Sequence, residues 1–159
     1  MIFLTVGSQM PFDRMVSIVN EWSSLNPHIE IVAQVGNSNS SFTNLTTIKN
    51  VKPKEYDQYI SRAELVIGHA GMGTVITCRD LNKPLVVMSR RGDLFETRND
   101  HQIATTKWIK NFPYIEEFST VEELGISINK LLDKSVEMEV KPSSNSELVS
   151  NIINIIDRV

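Results

Sequence analysis

Three short runs of this chain carry residue types that can hold an anionic, hydroxyl-rich ligand. The first is Thr5-Val6-Gly7-Ser8-Gln9. A glycine directly after an apolar run lets backbone approach a ligand closely, and a serine hydroxyl beside free N–H groups can hold a phosphate. The second is Gly68-His69-Ala70-Gly71-Met72-Gly73-Thr74, with three glycines in six residues. Small residues that expose N–H groups at a helix start form a cradle for a diphosphate, and His69 offers a further hydrogen bond. The spacing is not the dinucleotide fingerprint, and no acidic residue ends the following strand near Met88-Ser89, so the pattern argues against NAD. The third run extends from Arg90 to Gln102 and closes in Asp100-His101-Gln102. Paired donors and acceptors of that kind suit sugar hydroxyls. Taken singly, each run also reads as an ordinary turn or a solvated loop.

Other chemistries lack their residues. The sequence has no Asp-x-Asp pair, no Cys/His cluster at zinc spacing, no Gly-x-Ser-x-Gly elbow and no Walker loop. A net charge of -3 gives no electrostatic reason to expect nucleic acid. One cysteine, Cys78, cannot form an internal disulfide. The opening Met1-Ile2-Phe3-Leu4 lacks a basic region and a cleavage site, which argues against a signal peptide. No apolar run approaches the roughly 20 residues of a spanning helix. A cytoplasmic protein is expected.

The elements that must position these runs follow from the apolar pattern. Continuous apolar stretches predict strands at 2–6, 29–35, 64–68 and 84–88, with shorter extended pieces at 47–51 and around 114–115. Helices are expected from 11 to 26, 54 to 62, 74 to 81, 99 to 110 and 121 to 132, and 37–44 is a polar loop. Alternating strands and helices with uninterrupted apolar strands predict an α/β fold: a Rossmann-like parallel sheet covered on both faces. Ligands of such sheets sit beyond the carboxyl ends of the strands, where all three runs fall.

Taken together, the motifs resemble the C-terminal, donor-binding domain of glycosyltransferase family 28, one lobe of the GT-B fold. The opening through Pro11-Phe12-Asp13-Arg14, the His-Ala-Gly-Met-Gly turn followed by Lys83-Pro84-Leu85-Val86-Val87, and Glu96 with Asp100-His101-Gln102 carry the match over roughly residues 1–135. It is most similar to the single-lobe branch that includes PssE and the dolichol-linked UDP-GlcNAc transferase catalytic subunit. The resemblance implies a UDP-sugar donor and no metal or other cofactor. Gly7, Ser8, His69, Ala70, Gly71, Met72, Gly73 and Thr74 would then face the diphosphate and nucleoside, and Gln9, Glu96, Asp100, His101 and Gln102 the donor sugar. Thr77 stands where relatives place a ribose-binding Glu.

The resemblance further implies an inverting transfer to a lipid-linked sugar acceptor in capsular or exopolysaccharide synthesis. The acceptor lobe would be a second, membrane-associated subunit similar to PssD, recruiting this one to the inner face of the cell membrane. The general base stays unassigned and is expected on that partner. A non-catalytic accessory lobe is the alternative, and a two-lobe epimerase a more distant one. Residues 1–135 form the expected nucleotide-sugar domain, and 136–159 a linker and terminal helix. That helix carries Leu148, Val149, Ile152, Ile153 and Ile156 on one stripe, suited to its own core or to docking on the partner lobe.

Overall fold

The computed structural model describes residues 1–8, 10–97, 106, 107, 109 and 111–133. Six parallel strands form one sheet: β1 Ile2–Thr5, β2 Ile31–Gln34, β3 Thr46–Ile48, β4 Leu65–His69, β5 Leu85–Met88 and β6 Ile115–Glu117. Their order is β3-β2-β1-β4-β5-β6. The direction of winding reverses between β1 and β4, where Ile2 pairs with Leu65 and Thr5 with Gly68. The Rossmann-like architecture expected from the apolar pattern is the observed one.

Side chains of the continuous apolar strands alternate between two cores. On one face Leu4, Ile67, Val86 and Met88 pack beneath α1 (Asp13–Leu25) and the helix Val121–Leu132. On the other, Phe3, Val66 and Val87 pack beneath α2 (Pro53–Arg62) and α3 (Met72–Asp80) through Ile60, Val75 and Cys78. The helix Val121–Leu132, named α4 here, is capped by Thr120, whose Oγ1 accepts the Glu123 N–H at 3.2 Å. Gly125 passes Trp22 closely: a Cβ there would lie 3.2 Å from the indole nitrogen.

Two boundaries matter for function. The apolar pattern places the third helix at 74–81, yet α3 starts at Met72 with Gly71 as its cap. The Gly71 carbonyl accepts the Val75 N–H at 3.2 Å, which brings Met72, Gly73 and Thr74 into the first turn. Strand β3 is shorter than 47–51, which frees Asn50 and Val51 to reach the carboxyl edge of the sheet. The 89–98 loop contains a short 3-10 turn, Gly92–Leu94. Of the expected 99–110 helix, the described residues Thr106, Lys107 and Ile109 are helical; its other positions, like the linker and terminal helix of 136–159, lie outside the described residues. Among the described residues no helix is long and apolar enough to cross a membrane.

Candidate functional site: a cavity at the strand reversal

A cavity of about 610 Å³ opens at the carboxyl ends of β1 and β4, where an open α/β sheet presents its ligand crevice. Its walls come from three connections. Gly7 and Ser8 follow β1, Gly73 and Thr74 open α3, and Arg90, Glu96 and Thr97 come from the segment after β5. Gln34, Asn50, Val51, Pro53 and Tyr56 close the side toward β2 and α2.

The glycines have different tasks. Gly7 takes φ +81°, and a Cβ there would lie 2.5 Å from Cε1 of His69. A Cβ on Gly71 would lie 2.2 Å from Nε2 of the same ring. These two glycines therefore form a slot that the imidazole fills. A Cβ on Gly73 meets nothing within 4 Å. Gly73 is thus the glycine whose missing side chain leaves open space, at the end of a helix whose first N–H groups have no intrahelical partner. That end favours an anion.

Buried polar groups hold the loop after β1. The Thr5 hydroxyl donates to Oε1 of Gln34 at 2.8 Å and accepts the Gly7 N–H at 3.2 Å. Nε2 of Gln34 donates to the carbonyls of Gly7 at 3.1 Å and Lys49 at 3.2 Å. Among the described residues Arg90, 4% exposed, donates to four carbonyls: Val6 at 2.8 Å, Met10 at 2.7 Å, Pro11 at 2.8 Å and Glu96 at 3.0 Å. Its Cζ also stands 4.5 Å from the centre of the fully buried Phe12 ring. A second clamp joins α1 to the same segment. Arg14 grips Glu96 in bidentate fashion at 2.7 and 2.8 Å, and Oε2 of Glu96 also accepts the Arg91 N–H at 2.9 Å. Burial works to raise the Glu96 pKa, but these bonds win and hold it below the usual carboxylate value.

On the far wall the Tyr56 and Thr74 hydroxyls share a hydrogen bond of 3.1 Å. Tyr56 leans edge-on against Phe3, and burial raises its pKa. Thr77 turns its hydroxyl back onto the Gly73 carbonyl at 3.0 Å.

Of the residues singled out from the sequence, Gly7, Ser8, His69, Gly73, Thr74 and Glu96 line the cavity. Gly71 shapes it through the His69 ring. Ala70 is buried in the core beneath α3, and Met72 is partly exposed at the start of that helix. Gln9, Asp100, His101 and Gln102 lie outside the described residues. Sequence reasoning missed Gln34, Asn50, Val51 and Tyr56 as wall residues. It placed Arg90 in a charged surface loop, whereas Arg90 is buried as a loop staple. Gln34 had a signal: it is the lone polar residue between Ile31 and Val35.

Burial, with the Arg90 charge behind it, pushes the His69 imidazole down to about 4 from its ordinary 6.5. The ring is neutral at neutral pH, and its Nδ1 is buried without a hydrogen-bond partner. Above pH 6.5 folded and unfolded chains hold the same protons on this group. Below that, the unfolded chain takes up a proton that the folded chain refuses, so stability falls as pH drops toward 4. The loss attributable to His69 should approach about 3 kcal/mol. Urea unfolding of the wild type and His69→Asn between these limits checks it. The variant should lose less stability across the window.

The family profile of the Glycosyltransferase family 28 C-terminal domain matches residues 1–154. A curated relative, the UDP-N-acetylglucosamine transferase subunit ALG13 of Candida albicans, is 23% identical over 111 residues, covering 61% of this chain and 36% of that protein. The chain thus spans little more than a third of the curated relative. Among solved structures, the NMR structure of ALG13 aligns with a TM-score of 0.61 at 19% identity, covering 92% of this chain and 91% of that one. MurG of Acinetobacter baumannii aligns with a TM-score of 0.60 at 18% identity, covering 87% of this chain and 43% of that one. The kitacinnamycin glycotransferase aligns at 0.67 and 16% identity, over 87% of this chain and 36% of that one. Those likenesses concern the fold, and the profile supplies the family: this chain belongs to the glycosyltransferase family 28 C-terminal domain family.

Proposed function

We propose that this domain binds a UDP-sugar in the cavity at the strand reversal and is the donor-binding, catalytic subunit of a two-component inverting glycosyltransferase. The observation that carries this is the open Gly73 at the start of α3, facing a cavity large enough for a nucleotide. Diphosphate oxygens would take up the unpaired N–H groups of the first turn. The acceptor hydroxyl would attack the anomeric carbon as the bond from that carbon to the diphosphate breaks, and its proton would pass to a general base. Charge growing on the leaving UDP would meet the helix N-terminus rather than a metal.

The base belongs, in this reading, to a second subunit. Glu96 is the one carboxylate among the described residues lining the cavity, and Arg14 and the Arg91 N–H occupy its oxygens. A relative whose name makes it a subunit of a UDP-N-acetylglucosamine transferase supports the division of labour. We take the acceptor to be a lipid-linked sugar of a bacterial surface polysaccharide, and the partner to be a membrane-associated, PssD-like chain that brings this domain to the inner membrane face.

Titration calorimetry tests the donor reading. UDP should bind and NAD should not. Gly73→Val should weaken UDP at least about tenfold, or 1.4 kcal/mol, with the urea midpoint unchanged. Its side chain would enter space that is empty in the protein and filled in the complex. NAD binding with no response to UDP would sink the proposal. So would normal UDP binding by Gly73→Val. The same engaged Glu96 favours, as a second reading, an accessory lobe without chemistry of its own. Turnover by the assembled complex that survives Gly73→Val would favour that reading.

A further inference from the structure

The turn after β5 ends in an arrangement that serves neither core. Arg91 and Glu96 close it, with the Glu96 N–H donating to the Arg91 carbonyl at 3.2 Å. Between them Phe95 takes φ +56° and ψ +23°, in the left-handed region that phenylalanine rarely adopts. Its side chain is 87% exposed, and Leu94 beside it is 45% exposed. Phe95 belongs to neither hydrophobic cluster. A backbone held outside its preferred basin to place an aromatic ring in water points to a ligand.

Phe95 is joined directly to the cavity wall. The two residues that follow it, Glu96 and Thr97, line the cavity, and so does Met10, 38% exposed. The carbonyls of Met10 and Glu96 accept from the two terminal nitrogens of the same Arg90 guanidinium, at 2.7 and 3.0 Å. Arg90 thus holds the Met10 and Phe95 segments side by side. Phe95 and Leu94 are exposed apolar residues on the segment that runs into the cavity wall, and Met10 is a third on the wall itself.

We propose that Phe95, with Leu94 and Met10, is a platform for the acceptor sugar, whose pyranose ring stacks on the aromatic face. This rests on the donor-cavity reading above. A pyranose has a face of slightly positive C–H bonds and an edge of hydroxyls. The C–H face matches the negative face of an aromatic ring, and the hydroxyl edge matches polar neighbours such as Thr97. An acceptor sugar must approach through the cavity mouth to bring its hydroxyl to the donor. One ring and two aliphatic chains fall well short of the roughly 800 Å² per partner of a stable protein interface.

The test is NMR on the intact chain labelled at the backbone N–H groups, at Phe rings and at Met and Leu methyls. The probes are methyl β-D-glucopyranoside, methyl β-D-galactopyranoside and, as an apolar control without a sugar ring, hexane-1,6-diol. Each is titrated with and without UDP. A saturable glycoside response at Phe95, Leu94 and Met10, absent with the diol, is expected. The Leu94 and Met10 responses should vanish in Phe95→Ala and persist in Phe95→Tyr, which keeps the ring face. No glycoside response, or an equal response to the diol, overturns the proposal, the latter in favour of a general apolar docking patch. UDP is read separately at the backbone signals of Gly73 and Thr74. If those stay silent while the glycoside response holds, the donor reading fails and the sugar platform stands.

Discussion

Gly71→Ala is expected to destabilise the domain by about 3 kcal/mol, within the range of overpacking a filled site. His69→Ala in the same chain should remove most of that loss. The added methyl would sit 2.2 Å from Nε2 and 2.8 Å from Cδ2 of the imidazole, well inside contact. The ring cannot retreat toward Gly7, where an added Cβ would already lie 2.5 Å away. It must leave the slot for the cavity, and UDP binding should fall with it. Gly7→Ala makes the informative contrast. It meets the same ring but also places alanine at φ +81°. Removing His69 should therefore rescue Gly7→Ala only in part, leaving about 1–2 kcal/mol of backbone strain. Urea unfolding of the singles and doubles, each referred to His69→Ala, gives the two coupling energies. Purely additive losses would show that residue 71 and the imidazole do not share a slot.

Arg90→Ala should cost about 3–5 kcal/mol, the range for removing one partner of a buried charged network. Four carbonyls from the β1–α1 connection and the β5 turn would lose their donor together, and Phe12 would lose the guanidinium over its ring. Arg90→Lys separates charge from geometry. An ammonium keeps the charge but cannot spread to carbonyls as the planar fork does. Most of the loss should remain in the lysine variant, and UDP binding should weaken in both, because the Gly7 and Met10 backbone would no longer be held. Full stability and UDP affinity in Arg90→Lys would mean that the positive charge alone matters.

Strands and glycines were the legible parts of this molecule. The four central strands β1, β2, β4 and β5 lie on continuous apolar stretches because strands covered on both faces are buried along almost their whole length, whereas the edge strands, Thr46–Ile48 and Ile115–Glu117, carry exposed or polar residues and gave only short signals. Gly7, Gly71 and Gly73 were legible as a turn constellation, since small residues between a strand and a helix have few other uses. Their division of labour was not. That two of them house an imidazole while one opens onto a cavity depends on distances between β1 and β4, 60 residues apart in the chain. Arg90 was misplaced for the same reason. In a run with Arg91, Asp93 and Glu96 it reads as a solvated charge, yet the carbonyls of Val6, Met10 and Pro11 that it grips lie about 80 residues upstream. Tyr56 gave no signal, because one tyrosine on a short amphipathic helix looks like any other.

Cys78, the chain's one cysteine, sits on the inner face of α3, and burial pushes its thiol up to about 12. With almost no thiolate, the folded protein should ignore alkylating reagents. It is therefore a blank background for covalent footprinting. In Ser8→Cys, a new thiol at the exposed mouth of the cavity would be labelled at once in the empty protein and shielded by a bound nucleotide. Cys78 would be labelled only when the fold opens around it, at a pace set by the free energy of that opening. One mass spectrum taken over time would then contain two clocks, one for occupancy of the cavity and one for survival of the fold.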